Sequence, residues 1–112
     1  LWELTMANAR RANTRRRTYT VYVIEVLNET GHVMGLYVGE TAKSARERHD
    51  EHVARAPKSA TVFRSGRGSA GRLRPDLLPP LPRITRREQA HAAEAMVAEL
   101  LRTRGHTVFG GH

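Results

Sequence analysis

From Thr18 to Leu27 apolar side chains fill almost every position, with Tyr22, Ile24 and Val26 on one side of an extended chain and Tyr19, Val21 and Val23 on the other. A strand covered on both faces has this pattern, because successive side chains point to opposite faces. Asn28-Glu29-Thr30-Gly31 is a turn sequence, and Val33 to Gly39 reads as the returning strand of an antiparallel hairpin. The pattern then changes. Ser44-Ala45-Arg46-Glu47 has the form of a capping box and predicts a helix from near Ala45 to about Ala56. Its apolar stripe is thin, mainly Ala45, Val53 and Ala56, so the helix is held for what it displays. Thr61-Val62-Phe63 fits a short strand or a helical turn, and Ser65 to Pro82, rich in Gly, Arg and Pro, reads as a loop. Thr85-Arg86-Arg87-Glu88 forms a second capping box and opens a helix to about Thr103. Ala90, Ala93, Met96, Val97, Leu100 and Leu101 make its core stripe, and Gly105 ends it. Thr107-Val108-Phe109 offers a last short strand.

At 112 residues and 39% hydrophobic the chain has enough apolar material for one small core and not for two. Residues 1–17, with the Arg-rich run from Ala7 to Arg17, show no apolar periodicity and read as a basic arm; the domain proper is 18–112. The net charge of +8, carried almost wholly by arginine, points to a polyanion as partner. Arg15, Arg16 and Arg17 in the arm and Arg46, Arg55, Arg64 and Arg72 in the domain are the candidate phosphate contacts. There is no cysteine, which excludes disulfides and thiolate zinc sites. No apolar run is long enough to span a bilayer, and no signal-peptide core precedes the domain. A cytoplasmic location is the resulting expectation.

Chemistry concentrates in a few positions. Tyr22 and Tyr37 lie mid-strand on paired elements, so their hydroxyls can converge at one edge of the sheet. Arg48 and His52 stand at i and i+4 on one helix face. An arginine there stabilises charge on a transferring phosphoryl group and a histidine relays a proton; Arg46 and Arg55 compete for the arginine role. Of the three glutamates in the second helix, Glu88 belongs to the capping box and Glu99 lies away from the core stripe. Glu94 shares an edge with Ala90, Val97 and Leu101, at the rim of the core. A half-buried carboxylate needs compensation, from a hard cation such as Mg²⁺ or from an arginine. The histidines show no metal-cluster spacing, since His49 and His52 lack a third ligand.

With these residues in place, the chain resembles the GIY-YIG nuclease family from about Tyr19 to Gly111. Thr20-Val21-Tyr22 stands at the first motif and keeps only its tyrosine, whereas Tyr37-Val38-Gly39 is a close match to the second. Glu40-Thr41 followed by Arg48 is similar to the family's threonine and catalytic arginine, and His52 to a histidine found one turn later in many members. Glu94 matches the metal-binding glutamate, and Gly105 to Gly111 the closing glycine-bearing segment; the family's late asparagine has no clear counterpart.

The resemblance implies an α+β fold, a small three-stranded antiparallel sheet flanked by helices. It also implies one-metal hydrolysis of phosphodiester bonds, in DNA in preference to RNA. Glu94 would hold Mg²⁺ or Mn²⁺, Tyr22 with Tyr37 or His52 would deprotonate water, and Arg48 would clamp the phosphate. So small a domain leaves little surface for reading base edges. Specificity is therefore expected from nucleic-acid structure or from a protein partner. The alternative is a catalytically inactive nucleic-acid-binding module with the same fold, which would bind with steep salt dependence and be indifferent to loss of Glu94.

Overall fold

The computed structural model describes residues 17–56 and 59–110. Arg15, Arg16 and most of the basic arm, like Gly111, lie outside the described residues. Strand β1 (Thr20–Leu27) and strand β2 (Val33–Thr41) form the expected antiparallel hairpin. Asn28 builds its turn, with Oδ1 accepting from the Thr30 amide at 3.0 Å and from the His32 amide at 2.9 Å. Helix α1 (Ala45–Val53) follows, then a single turn α2 (Thr61–Arg64), strand β3 (Ser69–Leu73), a 3-10 turn at Pro75–Leu77, helix α3 (Arg87–Thr103) and strand β4 (Val108–Gly110).

The sheet has four strands in the order β3-β1-β2-β4 and is mixed, where a three-stranded antiparallel sheet was expected. β3 and β2 flank β1 antiparallel, and β4 adds parallel to the outer edge of β2. Arg102 anchors β4, with Nη2 donating to the Val108 carbonyl at 3.2 Å and the Gly110 carbonyl at 3.0 Å. The sequence pattern of β4 is too short to give a direction, and this tie to the preceding helix supplies one.

β3 lies inside the segment read as a loop. Glycine and arginine have low strand propensity, but here propensity yields to tertiary contact. At Gly68 a Cβ would lie 2.5 Å from Val26 Cγ1, so only glycine lets this backbone approach β1. Glu25 then fastens it. Its carboxylate accepts from the Arg72 amide at 3.3 Å and from Arg74 Nη1 at 3.1 Å. Burial pushes the Glu25 carboxyl up, but these hydrogen bonds outweigh it and hold the pKa below the ordinary value.

β1 is buried on both faces, as its pattern requires. Val21 and Val23 pack with Leu36 and Val38 against Ala90, Val97, Ala98 and Leu101 of α3. On the other face Tyr22, Ile24 and Val26 meet Phe63 of α2 and the partly buried Tyr37 and Phe109. Within α3, Ala98 takes a core place that the stripe gave to Met96, which is 50% exposed. The helix also starts differently. Arg86 is its N-cap, without a side-chain cap bond, so Thr85 and Glu88 form no capping box. At α1 Ser44 is the N-cap as expected, its Oγ accepting from the Glu47 amide at 3.1 Å and its hydroxyl donating to Glu47 Oε1 at 3.1 Å. α3 ends in a Schellman motif, where the His106 amide reaches the Leu101 carbonyl at 3.0 Å and the Gly105 amide that of Arg102 at 2.9 Å. Among the described residues no helix is long and apolar enough to cross a membrane.

Glu25 is 6% exposed and holds two elements together. Replacing it with Gln is expected to cost about 1–3 kcal/mol at neutral pH, read by urea denaturation. Because the folded-state pKa is depressed, its contribution is present above the ordinary value of 4.5 and lost as the pH falls below it. The stability gap between wild type and Glu25→Gln should therefore close on acidification; a gap that persists at low pH would rule out the ionised clamp.

Candidate functional site

Four side chains meet on the α1 face of the sheet. The register sets Tyr22 opposite Gly39, and Tyr37 two pairs along, on the same face, opposite Ile24. A Cβ at position 39 would stand 2.4 Å from the Tyr22 hydroxyl oxygen and 2.9 Å from Tyr37 Cε1. Gly39 thus makes the space in which the two tyrosines converge, their ring centroids 6.1 Å apart. Thr41 closes the strand, its Oγ1 accepting from the Lys43 amide at 3.0 Å and turning the chain toward α1.

His52 comes down from α1, fully buried, with its ring 5.4 Å from Tyr37 and 4.9 Å from Phe63 between centroids. Both ring nitrogens are engaged. Nδ1 accepts from the Ala60 amide at 3.2 Å, and Nε2 lies 2.9 Å from the Tyr22 hydroxyl oxygen. Burial, with Arg48 adding to it, lowers the His52 pKa to about 4, so the ring is neutral at pH 7. A neutral imidazole that accepts at Nδ1 carries its proton on Nε2 and donates it to Tyr22. His52 is therefore closed off from solvent behind Tyr22.

Arg48 is 19% exposed and donates through Nη1 to Glu51 at 3.2 Å. Its guanidinium also lies close enough to Tyr22 to pull the phenol's pKa down. Burial pushes the Tyr22 pKa far up, and the charge on a neighbouring ionised Tyr37 adds to this, against the pull of Arg48. The Tyr37 pKa is raised too, first by burial and then by the Glu94 carboxylate, with Glu40 adding and both Tyr22 and Arg48 opposing. The two tyrosines differ in access. Tyr22 is 1% exposed, whereas Tyr37 is half-buried and lines a cleft of about 490 Å³ walled by Ala60, Thr61, Arg67 and Phe109.

Carboxylates lie near the same tyrosine. Glu94 is half-buried on α3, as its rim position implied, and its carboxylate oxygen lies within 4.8 Å of a carboxylate oxygen of Glu40 and a ring nitrogen of His91. Glu40 is the penultimate residue of β2 and its side chain is 8% exposed. One oxygen accepts from Arg87 at 3.2 Å, and the other, Oε2, is buried without a hydrogen-bond partner. A buried carboxylate oxygen in that state suits a cation. The donor set thus fits a divalent ion. Neither Glu40 nor His91 was picked out from sequence. The signal was there in His91-x-x-Glu94, two possible ligands three apart on one helix face.

No family model, curated protein or solved structure matches the chain. The arginines separate by role. Arg17, Arg46 and Arg64 are exposed. Arg55 is spent on structure, with Nη1 donating to the Phe63 carbonyl at 2.8 Å and Nη2 to Ser69 at 3.2 Å. Arg72 is 80% exposed but lies 3.5 Å from Glu25. His49, one turn before His52, bonds to the Gly71 carbonyl at 2.6 Å and ties α1 to β3.

Two outcomes follow. In an NMR titration the His52 imidazole should stay neutral, with the proton on Nε2, down to a pH of about 4. Since the folded-state pKa lies below the unfolded value of 6.5, stability should fall as the pH drops through the window between them. Titration of His52 near 6.5 would contradict the buried hydrogen-bond chain. For Gly39→Ala the added methyl group must displace Tyr22, and thermal melts should show a loss of about 1–3 kcal/mol.

Proposed function

We propose that this chain is a metal-dependent endonuclease of the GIY-YIG type, hydrolysing phosphodiester bonds in DNA in preference to RNA. The observation that carries the reading is the convergence of Tyr22 and Arg48 on Tyr37, which lines a cleft and has Glu94 close enough to act on it. These are the groups that such hydrolysis needs, namely a proton acceptor, a cation for the phosphate charge and a carboxylate for a metal.

Tyr37 is the tyrosine that meets the attacking water, because Tyr22 is closed off from solvent. As it stands, Tyr37 is a poor base, held protonated by burial and by the two carboxylates. Glu94 would hold a divalent ion, Mg²⁺ or Mn²⁺, which would supply a Lewis acid for the phosphate and offset the carboxylate charge. With that charge offset, Tyr37 would ionise more readily, and its phenolate oxygen would accept the proton of the attacking water. Tyr22 supports the phenolate from behind by donating to it. His52 Nε2–H in turn donates to Tyr22, so each oxygen in the chain has a donor. Arg48 adds positive charge where the pentavalent phosphate builds negative charge.

Exposed arginines at positions 17, 46 and 64 hold the phosphate backbone without reading bases. Specificity then comes from the shape of the nucleic acid or from a protein partner.

The test is cleavage of supercoiled plasmid, branched DNA and single-stranded RNA with Mg²⁺, Mn²⁺ or EDTA. Metal-dependent cutting of DNA is expected, abolished by Glu94→Ala and reduced about 10²–10³-fold by Arg48→Ala. Tyr37→Phe should cost at least as much as Tyr22→Phe. Binding of every substrate without cutting, equal for wild type and Glu94→Ala, would replace this reading with that of an inactive binding module.

A further inference from the structure

We infer that Glu40, His91 and Glu94 together form one divalent-ion site whose imidazole ligand selects Mn²⁺ over Mg²⁺. The inference deepens the proposed function and rests on it for the ion's use, though not for its binding.

The geometry comes from two elements brought together, the end of β2 and the first half of α3. Glu40 is the penultimate residue of β2, and His91 and Glu94 are three apart on α3, so both helix residues face the strand end. Their ligand atoms all lie within 4.8 Å of one another. Two ligands on opposite sides of a small divalent ion stand about 4–4.4 Å apart, so this spread suits a single ion. A cluster of acidic groups alone would not make a site, and Glu40 supplies the independent observation. Its side chain is 8% exposed, and Oε2 is fully buried with no hydrogen-bond partner while Oε1 is taken by Arg87. The fold thus shields a carboxylate oxygen from water and leaves it unsatisfied next to two further ligands. A metal ion satisfies it, and Arg87 can keep its bond to the other oxygen.

The nature of the ligands decides the ion. Mg²⁺ demands oxygen donors and retains most of its water, whereas Mn²⁺, which also takes carboxylates, is a first-row transition ion and accepts an imidazole among them more readily than Mg²⁺ does. Two carboxylates and one histidine leave about three positions of an octahedron for water or phosphate oxygens, as catalysis on a phosphodiester needs. Exposed His91 approaches from the solvent side and buried Glu40 from the sheet. Loss of His91 therefore removes a ligand without opening the core.

Binding is measured without nucleic acid, by Mn²⁺ electron paramagnetic resonance and by calorimetry with Mn²⁺ and with Mg²⁺, on wild type, His91→Ala and Glu40→Gln. Wild type should bind one Mn²⁺ per chain and prefer it to Mg²⁺. His91→Ala should weaken Mn²⁺ at least about tenfold, since loss of even an outer-shell partner costs that much, and leave Mg²⁺ affinity nearly unchanged. Glu40→Gln should weaken both ions. An unchanged Mn²⁺ affinity in His91→Ala, or Mg²⁺ binding as tight as Mn²⁺ in wild type, would overturn the inference. Melting curves of the metal-free proteins check that His91→Ala is folded. Cleavage assayed in parallel separates the two readings, because a site that selects Mn²⁺ in a protein that cuts nothing defeats the nuclease and leaves the metal site standing.

Discussion

Tyr22 can be buried only because β2 has no side chain at position 39. Its hydroxyl occupies the volume that a Cβ of residue 39 would take. From there it reaches His52, 2.9 Å away on α1, and fixes how that helix lies on the sheet. Around this contact the core cluster of this face assembles, with Tyr37 edge-on to both Phe63 and the buried imidazole. Tertiary packing of this kind explains how a nine-residue helix with a thin apolar stripe is held in place.

Polar groups thus do work usually left to leucine or valine. A buried phenol and a buried imidazole are tolerable because they satisfy each other, with the Ala60 amide completing the set. Glu25 follows the same logic at the other edge, where hydrogen bonds from Arg72 and Arg74 keep a buried carboxylate ionised. Glu40 departs from it. One of its oxygens is left unmatched, and that departure marks the carboxylate side of the candidate site.

The hairpin and both long helices were legible in the chain because their signals are local, namely two-sided apolar strands, a turn built on Asn28 and helical periodicity. The positions of Tyr22, Tyr37, Arg48, His52 and Glu94 followed from spacing on those elements. What escaped depends on contacts between distant segments. β3 forms where Gly68 allows close approach and Glu25 supplies acceptors 47 and 49 residues before their donors. The start of α3 slips to Arg86 because Thr85 does not cap it. Glu40 and His91 carry no mutual signal along the sequence, and only the packing of α3 against β2 makes them neighbours.

The peptide unit at Ala60 belongs to two structures at once. Its residue lines the cleft beside Tyr37, and its N–H is the donor that fixes the tautomer of His52. Cleft wall and proton arrangement are therefore geared together through one backbone bond. A shift of α2 away from α1 would free Nδ1 to take a proton and, with it, allow the imidazole to turn over as a donor on the opposite nitrogen. The hydroxyl of Tyr22, and through it that of Tyr37, would then lose its fixed polarity, so the stiffness of a four-residue helical turn sets how well defined the chemistry behind the cleft can be.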